Sequence, residues 1–197
     1  MTPDLFIALA AFAFVTVISP GPNNLMLMAS GANFGFARSV PHMAGIGLGF
    51  PAMVLLVGIG VMRVFQAWPL AQTILTVLSA AYLLFLAWKI AHAAPPDAAG
   101  PTGTPLGFFQ AAAFQWVNPK AWSMALGAIT LYAPGRDLSA VLWVAATYVG
   151  VSVISTTTWT VLGQQVRRIL TNPTRLRVFN WSMAALLVGS MIPVLLA

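Results

Sequence analysis

Long apolar stretches separated by short polar connections make up most of this chain of 197 residues. Each stretch is long enough to cross about 30 Å of hydrocarbon as a helix rising 1.5 Å per residue. The pattern therefore predicts an all-α polytopic membrane protein with six transmembrane helices. The six stretches cover approximately Leu5–Ala29, Ser39–Met62, Trp68–Trp88, Leu106–Tyr132, Leu138–Gly163 and Val178–Ala197.

Proline interrupts two of the six stretches. The first contains the run Ser19–Asn24 (SPGPNN), and the fourth contains Asn118–Lys120 (NPK). Proline lacks an N–H donor and clashes with the turn before it, so helices one and four are predicted to be broken there. Pro20 and Pro119 lie 99 positions apart, about half of the chain. Paired breaks in matching halves are the sequence feature that best indicates a transporter's binding site.

A linker rich in proline and glycine divides the predicted helices into three and three. Residues 94–105 read APPDAAGPTGTP and contain no residue that favours a packed core, which indicates a flexible cytoplasmic linker. We predict a first three-helix repeat at 1–93, the linker at 94–105 and a second three-helix repeat at 106–197. An odd number of spans reverses the orientation of the second half, so the two repeats are predicted to be inverted.

The composition supports a membrane protein and restricts its chemistry. The chain is 59% hydrophobic and 6% charged, whereas soluble domains are about 25% charged. It has no glutamate, and Asp4, Asp97 and Asp137 lie at segment ends or in loops. The net charge of +6 does not indicate nucleic-acid binding, because no basic patch is interleaved with aromatic residues. The absence of cysteine excludes disulfides, thiol chemistry and cysteine-ligated metals.

The distribution of basic residues predicts the orientation in the membrane. Cytoplasmic loops carry an excess of lysine and arginine. Six basic residues follow segments one, three and five, against two on the other side, so we expect the first set in the cytoplasm and both termini outside. The two sets are Arg38, Lys89, Arg167, Arg168, Arg175 and Arg177, and Arg63 and Arg136.

The first break is a candidate substrate-binding site formed by Pro20, Gly21, Pro22, Asn23 and Asn24. The prolines free backbone carbonyls upstream, and Gly21 is expected to adopt backbone angles that other residues avoid. A new helix N-terminus suits a carboxylate, and freed carbonyls suit an ammonium group, so the break could hold a zwitterion. The alternative is a kinked structural helix whose two amides bond to a neighbour.

The second break adds Gln115, Asn118, Pro119 and Lys120 to the candidate site. Lys120 is the only charge inside a predicted segment, where a lysine costs about 2.5–3.5 kcal/mol at the helix centre. No acidic residue lies in a span to pair with it. Its partners must therefore be carbonyls, amides, water or a substrate carboxylate, unless its long stem snorkels to the interface.

Segment two contributes two further features. His42, near its start, can titrate near neutral pH but is interpreted as an interfacial residue. Gly45, Gly47 and Gly49 predict a face that packs closely against another helix.

These motifs resemble those of the LysE/RhtB amino-acid exporters, and the resemblance covers essentially the whole chain. It rests on SPGPNN, on Gly45–Gly49 (GIGLG), on Ala80–Lys89 (AAYLLFLAWK) and on Val117–Ala121 (VNPKA). Asn23-Asn24 and Phe114–Asn118 look most like the branch that exports cysteine and O-acetylserine. The resemblance implies secondary export of an amino acid or derivative across a bacterial inner membrane. It also implies a functional core of Pro20, Gly21, Pro22, Asn24, Asn118, Pro119 and Lys120.

The chain departs from the family pattern at Asn23, where many members carry aspartate. Without that acid no carboxylate in a span remains to carry a proton. Proton antiport, the coupling that the resemblance implies, would have to use His42 or Lys120, or transport would be uncoupled.

Three classes of function therefore stay open, with an exporter of small neutral amino acids, working by alternating access, favoured. An exporter of another solute such as a metal ion is disfavoured, because the spans contain no cysteine, glutamate or aspartate to bind a metal. A membrane enzyme would need paired carboxylates, a metal cluster or an activated nucleophile, and a scaffold would need no proline breaks. The sequence predicts an amino acid and membrane lipid as partners. It predicts no cofactor, no metal and no nucleic-acid partner, and it leaves the oligomeric state open.

Overall fold

The computed structural model of the protein describes residues 2–60, 69–93, 103–170, 172–190 and 192. Within these ranges the regular structure is entirely α-helical, which confirms the all-α part of the predicted fold class. The predictions for Arg63, for most of the linker (94–102) and for both chain ends lie outside the described residues. The eight helices are α1 (Pro3–Ile18), α2 (Pro22–Phe34), α3 (Phe36–Gly58), α4 (Pro69–Ala91), α5 (Phe108–Val117), α6 (Pro119–Tyr132), α7 (Leu138–Ile169) and α8 (Pro173–Gly189).

The described helices include three that are long and apolar enough to cross a membrane alone. They are α3, Thr73–Ala91 of α4, and α7. Helices α1 and α2 together qualify as a fourth, a broken span bent by 57°. The 10 residues of α5, the 14 of α6 and the 17 of α8 are each fewer than the roughly 20 of a typical span. The finding in the described part of the chain is thus three or four spans, compared with the six predicted.

Both proline breaks occur where the sequence predicts them. Pro22 and Pro119 are the first residues of α2 and α6, positions at which the missing N–H would have had no partner inside the helix. The Asn118 side chain caps α6 by accepting a hydrogen bond from the Lys120 N–H at 3.2 Å. The expectation for Gly21 is wrong, because its backbone is fully extended (φ 178°, ψ 179°), which any residue adopts.

Helix α7 is central to the packing and contacts α1, α2, α3 and α6. Between α3 and α7, the Phe50 ring meets the buried Tyr148 ring edge-on at 4.9 Å between centroids. The predicted close-packing face of α3 is confirmed at two of its three glycines. A Cβ on Gly45 would lie 2.4 Å from the Phe108 carbonyl oxygen, and one on Gly49 would lie 2.6 Å from Ala112 Cα, whereas Gly47 faces open space.

Most basic residues lie at one end of the helical bundle. Arg38 donates to the Gly103 carbonyl at 2.6 Å, and Asn180 of α8 donates to the Ala93 carbonyl at 3.4 Å. These bonds hold the α2–α3 junction, the end of α4, the approach to α5 and the start of α8 at the same end. We call this end the basic face, and its residues are Arg38, Lys89, Arg167, Arg168, Arg175 and Arg177.

The loop before α7 lies at the opposite end and carries Arg136 and Asp137. Asp137 caps α7, since its carboxylate accepts hydrogen bonds from the Ala140 N–H at 2.9 Å and the Ser139 hydroxyl at 2.7 Å. These bonds lower the pKa of the Asp137 carboxyl. Asp137 therefore serves as a helix cap and stays ionised near neutral pH.

Candidate functional site

The first break leaves carbonyl groups without their helical donors, and side chains replace those donors. Pro20 cannot donate to the Thr16 carbonyl, which accepts instead from the Ser19 hydroxyl at 2.9 Å. Pro22 cannot donate to the Ile18 carbonyl, which accepts instead from the indole N–H of Trp159 on α7 at 3.0 Å. The broken backbone is therefore paired inside the protein, as a membrane interior requires.

Asn24 bridges the two sides of the same break. Its Nδ2 group donates to the carbonyls of Val17 at 2.7 Å and Ser19 at 2.8 Å, and its side chain is 5% exposed. The Ser155 hydroxyl of α7 also donates to the Val17 carbonyl, at 3.0 Å. The predicted amide at Asn24 thus fixes the geometry of the break from the first turn of α2.

Lys120, from the second break, reaches across to the first. Its ammonium nitrogen lies 2.7 Å from the Ser19 carbonyl, 2.8 Å from the Ser19 hydroxyl and 3.2 Å from the Pro20 carbonyl. Three acceptors match the three protons of an ammonium group. The structure therefore pairs Lys120 with carbonyl groups, one of the alternatives that the sequence left open.

Gly21 makes room for this contact. A Cβ at Gly21 would lie 2.7 Å from Lys120 Cδ and 3.0 Å from Lys120 Nζ, distances that atoms in contact do not reach. The glycine is thus explained by the approach of a side chain from the other break.

A reciprocal amide pair joins the breaks at a second point. Asn23 donates to Gln115 Oε1 at 2.8 Å, and Gln115 donates back to Asn23 Oδ1 at 3.1 Å. Gln115 is fully buried and also donates to the Ala111 carbonyl at 2.8 Å. The amides of α2 and α5 thus bond to each other.

The side chains between the breaks enclose a small cavity, here called the break cavity. Its volume is about 20 Å³, which holds roughly one water molecule and is too small for an amino acid. Gly21, Asn23, Asn24, Asn118 and Lys120 all line it. Of the other predicted site residues, Gln115 supports Asn23 from behind, Pro22 and Pro119 begin helices, and Pro20 contributes its carbonyl.

The sequence interpretation missed the contribution of α7. Ser152, Ser155 and Thr156 line the break cavity, and the Ser152 hydroxyl is buried without a hydrogen-bond partner among the described residues. A signal for this face existed, because hydroxyl residues and Trp159 recur every three to four positions from Ser152 onwards, which places them on one side of a helix.

His42, which the sequence interpretation took as an interfacial residue, is buried inside the helical bundle. It is 1% exposed, and both ring nitrogens are buried without a hydrogen-bond partner in the described ranges. Its ring lines a second cavity, between the break cavity and the basic face. The position of His42 within its segment did not reveal this burial, because residues of α2, α4 and the chain before α5 line the cavity beside it.

Known proteins resemble this chain along most of its length. The sequence profile of the family described as "LysE type translocator" matches residues 14–196. The "Cysteine/O-acetylserine efflux protein" of Klebsiella pneumoniae subsp. pneumoniae is 28% identical over 190 residues, which is 95% of each chain. The proteins of that name from Escherichia coli (strain K12) and Shigella sonnei are 31% identical over 172 residues, 86% of this chain and 87% of theirs. No solved structure matches the chain significantly.

Proposed function

This chain belongs to the LysE type translocator family, and from that membership we propose that it exports a small amino acid or an amino-acid derivative across the bacterial cytoplasmic membrane. The relatives named as cysteine/O-acetylserine efflux proteins match it over most of both chains, so these two compounds are the first substrates to test.

The observation that supports this proposal best is the contact between Lys120 and the carbonyls of Ser19 and Pro20. A zwitterionic amino acid carries one partner for each side of that contact. Its carboxylate can accept hydrogen bonds from the ammonium group of Lys120. Its own ammonium group can donate to the carbonyls that Lys120 would release. Substrate binding would then exchange one set of charge-assisted hydrogen bonds for another, and no charge would be left unpaired inside the membrane.

The size of the break cavity supports transport by alternating access. At about 20 Å³ it has no room for an amino acid, so binding one there would require the surrounding helices to move apart. Opening requires the α1–α2 pair to move relative to α5–α6, and this motion separates Lys120 from Ser19. A substrate that replaces their contact would lower the free energy needed for the motion.

We further propose that the protein is built as two inverted three-helix repeats, residues 1–93 and 106–197, joined by a linker at 94–105. The order of elements supports this division, because a broken helix, a long helix and a third helix follow one another twice. In this arrangement the basic face is cytoplasmic and both termini are outside. The second repeat would complete six spans with α5–α6, α7 and α8.

The proposed function is tested by export and counterflow. Overproduction should raise tolerance to O-acetyl-L-serine or to a toxic amino-acid analogue, and proteoliposomes should show counterflow of the transported compound. Lys120→Ala removes the cation, and Asn24→Ala removes the amide that pairs two freed carbonyls, so each should abolish both activities at unchanged membrane levels. Arg136→Ala, an exposed cation at the opposite end, is the control and should behave like the native chain.

Normal export by both Lys120→Ala and Asn24→Ala would refute the site. Failure of the native protein to move any compound from a panel of amino acids would refute the function. Running the panel with and without a pH gradient also shows whether protons are coupled, for which the chain offers His42 or Lys120 and no acidic residue in a predicted span.

A further inference from the structure

A second cavity, here called the vestibule, lies between the break cavity and the basic face. Its volume is about 60 Å³, and α2, α3, α4 and the chain just before α5 enclose it. At about 15 Å³ per water-sized group, it has room for roughly four such groups, so a bound amino acid would place only part of itself inside and the rest at the open mouth. Thr104 is exposed and lines it, so the vestibule reaches the surface there.

His42 is the polar side chain of the vestibule that lacks a partner. The two other buried polar side chains there are already paired, since Ser30 bonds to Ser39 at 2.8 Å and Asn33 bonds to Asn180 at 2.8 Å. Both nitrogens of the His42 ring are buried and unpaired among the described residues. A buried polar group left unpaired costs about 1–3 kcal/mol, so a group inside the vestibule that bonds to His42 would be stabilised there.

The charges around the vestibule favour a carboxylate. Lys89, in the last turn of α4, lines it as an exposed cation, and none of the described lining residues is acidic. The remaining wall is mostly apolar, which strengthens the attraction between Lys89 and an anion. A small solute with a carboxylate and a second polar group would satisfy Lys89 and His42 together.

The vestibule also follows the break cavity along the same two helices. Ile46 lines the break cavity one turn of α3 after His42, and Asn23 lines it about two turns of α2 before Ser30. A solute arriving from the basic face would therefore meet the vestibule before it reaches the break.

We propose that the vestibule is a second binding site for the exported amino acid, occupied on the way from the basic face to the break cavity. Lys89 holds the carboxylate, and the neutral ring of His42 hydrogen-bonds a second polar group of the solute. This inference rests on the proposed function, because it assigns the same class of solute to another site.

The absence of cysteine from the chain allows a direct test with one introduced thiol. Thr104→Cys places a thiol at the vestibule mouth, and its labelling rate with a maleimide is measured on the purified full-length protein. O-acetyl-L-serine is the probe, because it has no thiol that would consume the reagent. Bound probe should slow labelling several-fold at saturation.

Variants of His42 separate binding from folding. His42→Leu should abolish protection yet leave the protein folded, because it replaces an unpaired buried polar ring with an apolar side chain. His42→Gln, which keeps a donor and an acceptor, should retain part of the protection. His92→Leu is the matched control, since His92 is the other histidine of the chain, is exposed and bonds to the Trp88 carbonyl. It should leave protection unchanged.

Three results would overturn the vestibule site. They are no protection in Thr104→Cys, unchanged protection in His42→Leu, or loss of protection when Lys120→Ala is added, which would mean that the thiol senses only the break. Equal protection by acetate would reduce the site to a general carboxylate site and overturn the amino-acid assignment. These outcomes can be told apart from a failure of the proposed function. If one of the four results above is seen while the native protein exports normally, only the vestibule site is refuted. If protection is seen but the native protein shows no counterflow, the proposed function is refuted instead.

Discussion

At the scale of single residues, one lysine connects both breaks. A lysine inside a membrane is costly, and Lys120 offsets this cost with three acceptors from Ser19 and Pro20 rather than with a carboxylate. The same carbonyls are available because the backbone is extended at Ser19 and Gly21, so the helical hydrogen bonds are interrupted there. The first break thus supplies hydrogen-bond acceptors and the second supplies the cation. Without the other break, each would leave these groups unpaired.

Gly21→Ala tests this contact by adding one methyl group. The new Cβ would overlap with the side chain of Lys120, which is flexible and can move, so we expect a folded protein whose ammonium no longer reaches Ser19. Two of its three hydrogen bonds would be lost, and each charge-assisted bond is worth about 1.5–3 kcal/mol, so export should fall by at least about tenfold. Counterflow in proteoliposomes measures this.

Gly47→Ala is the control for Gly21→Ala, because Gly47 faces open space within α3. Equal activity of the two variants would mean that the approach of Lys120 to Gly21 has no part in transport.

Asn23→Asp tests how the missing acid affects energy coupling. A protonated aspartate keeps the donor and acceptor that Asn23 presents to Gln115, while an ionised one only accepts but is attracted by the nearby Lys120. The site therefore offers partners to both the protonated and the ionised form of the introduced carboxyl, so the variant should be able to carry a proton. We expect a pH gradient, acidic outside, to stimulate its export several-fold more than that of the native chain.

The measurement is counterflow and efflux at imposed pH gradients, with Asn172→Asp at the exposed start of α8 as the control. A native chain that already responds as strongly as the variant would locate the proton carrier elsewhere.

At the scale of helices, α7 decides the shape of the site. Its Ser155 and Trp159 pair with carbonyls freed by the first break, and its backbone lies directly against α2. A Cβ on Gly163 would lie 2.0 Å from the Met28 carbonyl oxygen, and one on Gly31 would lie 2.1 Å from that of Thr160. Small residues on both helices permit this approach, which membrane helices commonly use for tight packing.

Gly163→Ala should therefore separate α2 from α7. The atom that the new Cβ meets belongs to the backbone and cannot rotate away, so a destabilisation of at least about 2 kcal/mol is expected. For a chain of this size that corresponds to a fall in Tm of about 4–8 °C. Thermal unfolding of the purified protein in detergent measures it.

Gly150→Ala is the matched control on the same helix, since Gly150 faces open space. The packing argument fails if the two variants melt at the same temperature.

At the scale of the whole molecule, the two ends differ in charge and the cavities are arranged between them. The basic face gathers Arg38, Lys89 and the residues around the α7–α8 junction, while Asp137 and Arg136 lie at the other end. The vestibule reaches the surface toward the basic face, and the break cavity is the smaller of the two, at about 20 Å³ against about 60 Å³. This arrangement suits a carrier loaded from the cytoplasm, provided that the basic face is cytoplasmic.

Cysteine labelling in intact cells tests this orientation. Gly135→Cys, in the loop before α7, should react with a membrane-impermeant maleimide added outside. Thr174→Cys, at the basic face, should react only after the cells are opened. Both positions are exposed in a chain without other cysteines, so any difference reports the side of the membrane. The reverse pattern would invert the proposed topology.

The sequence alone determined the local features of this protein. Proline acts on its own backbone, and long apolar runs are apparent from composition alone, so the all-α fold and both breaks were predictable. The functional roles of Lys120 and Asn24 remain predictions. The approximate helix ranges were also predictable, although α7 continues six residues beyond the predicted end at Gly163. The number of spans was less predictable, because it depends on whether short helices join into one span. The described helices provide three or four spans.

Only the tertiary structure decided which groups meet. A freed carbonyl is visible in the sequence, but its new partner is not, because Lys120, Trp159 and Ser155 come from segments 101 to 141 positions away. The same reason explains why the burial of His42 was not predicted, since residues of α2 and α4 from distant parts of the chain line the cavity beside it. Local periodicity specifies which backbone groups need partners, whereas long-range packing selects those partners.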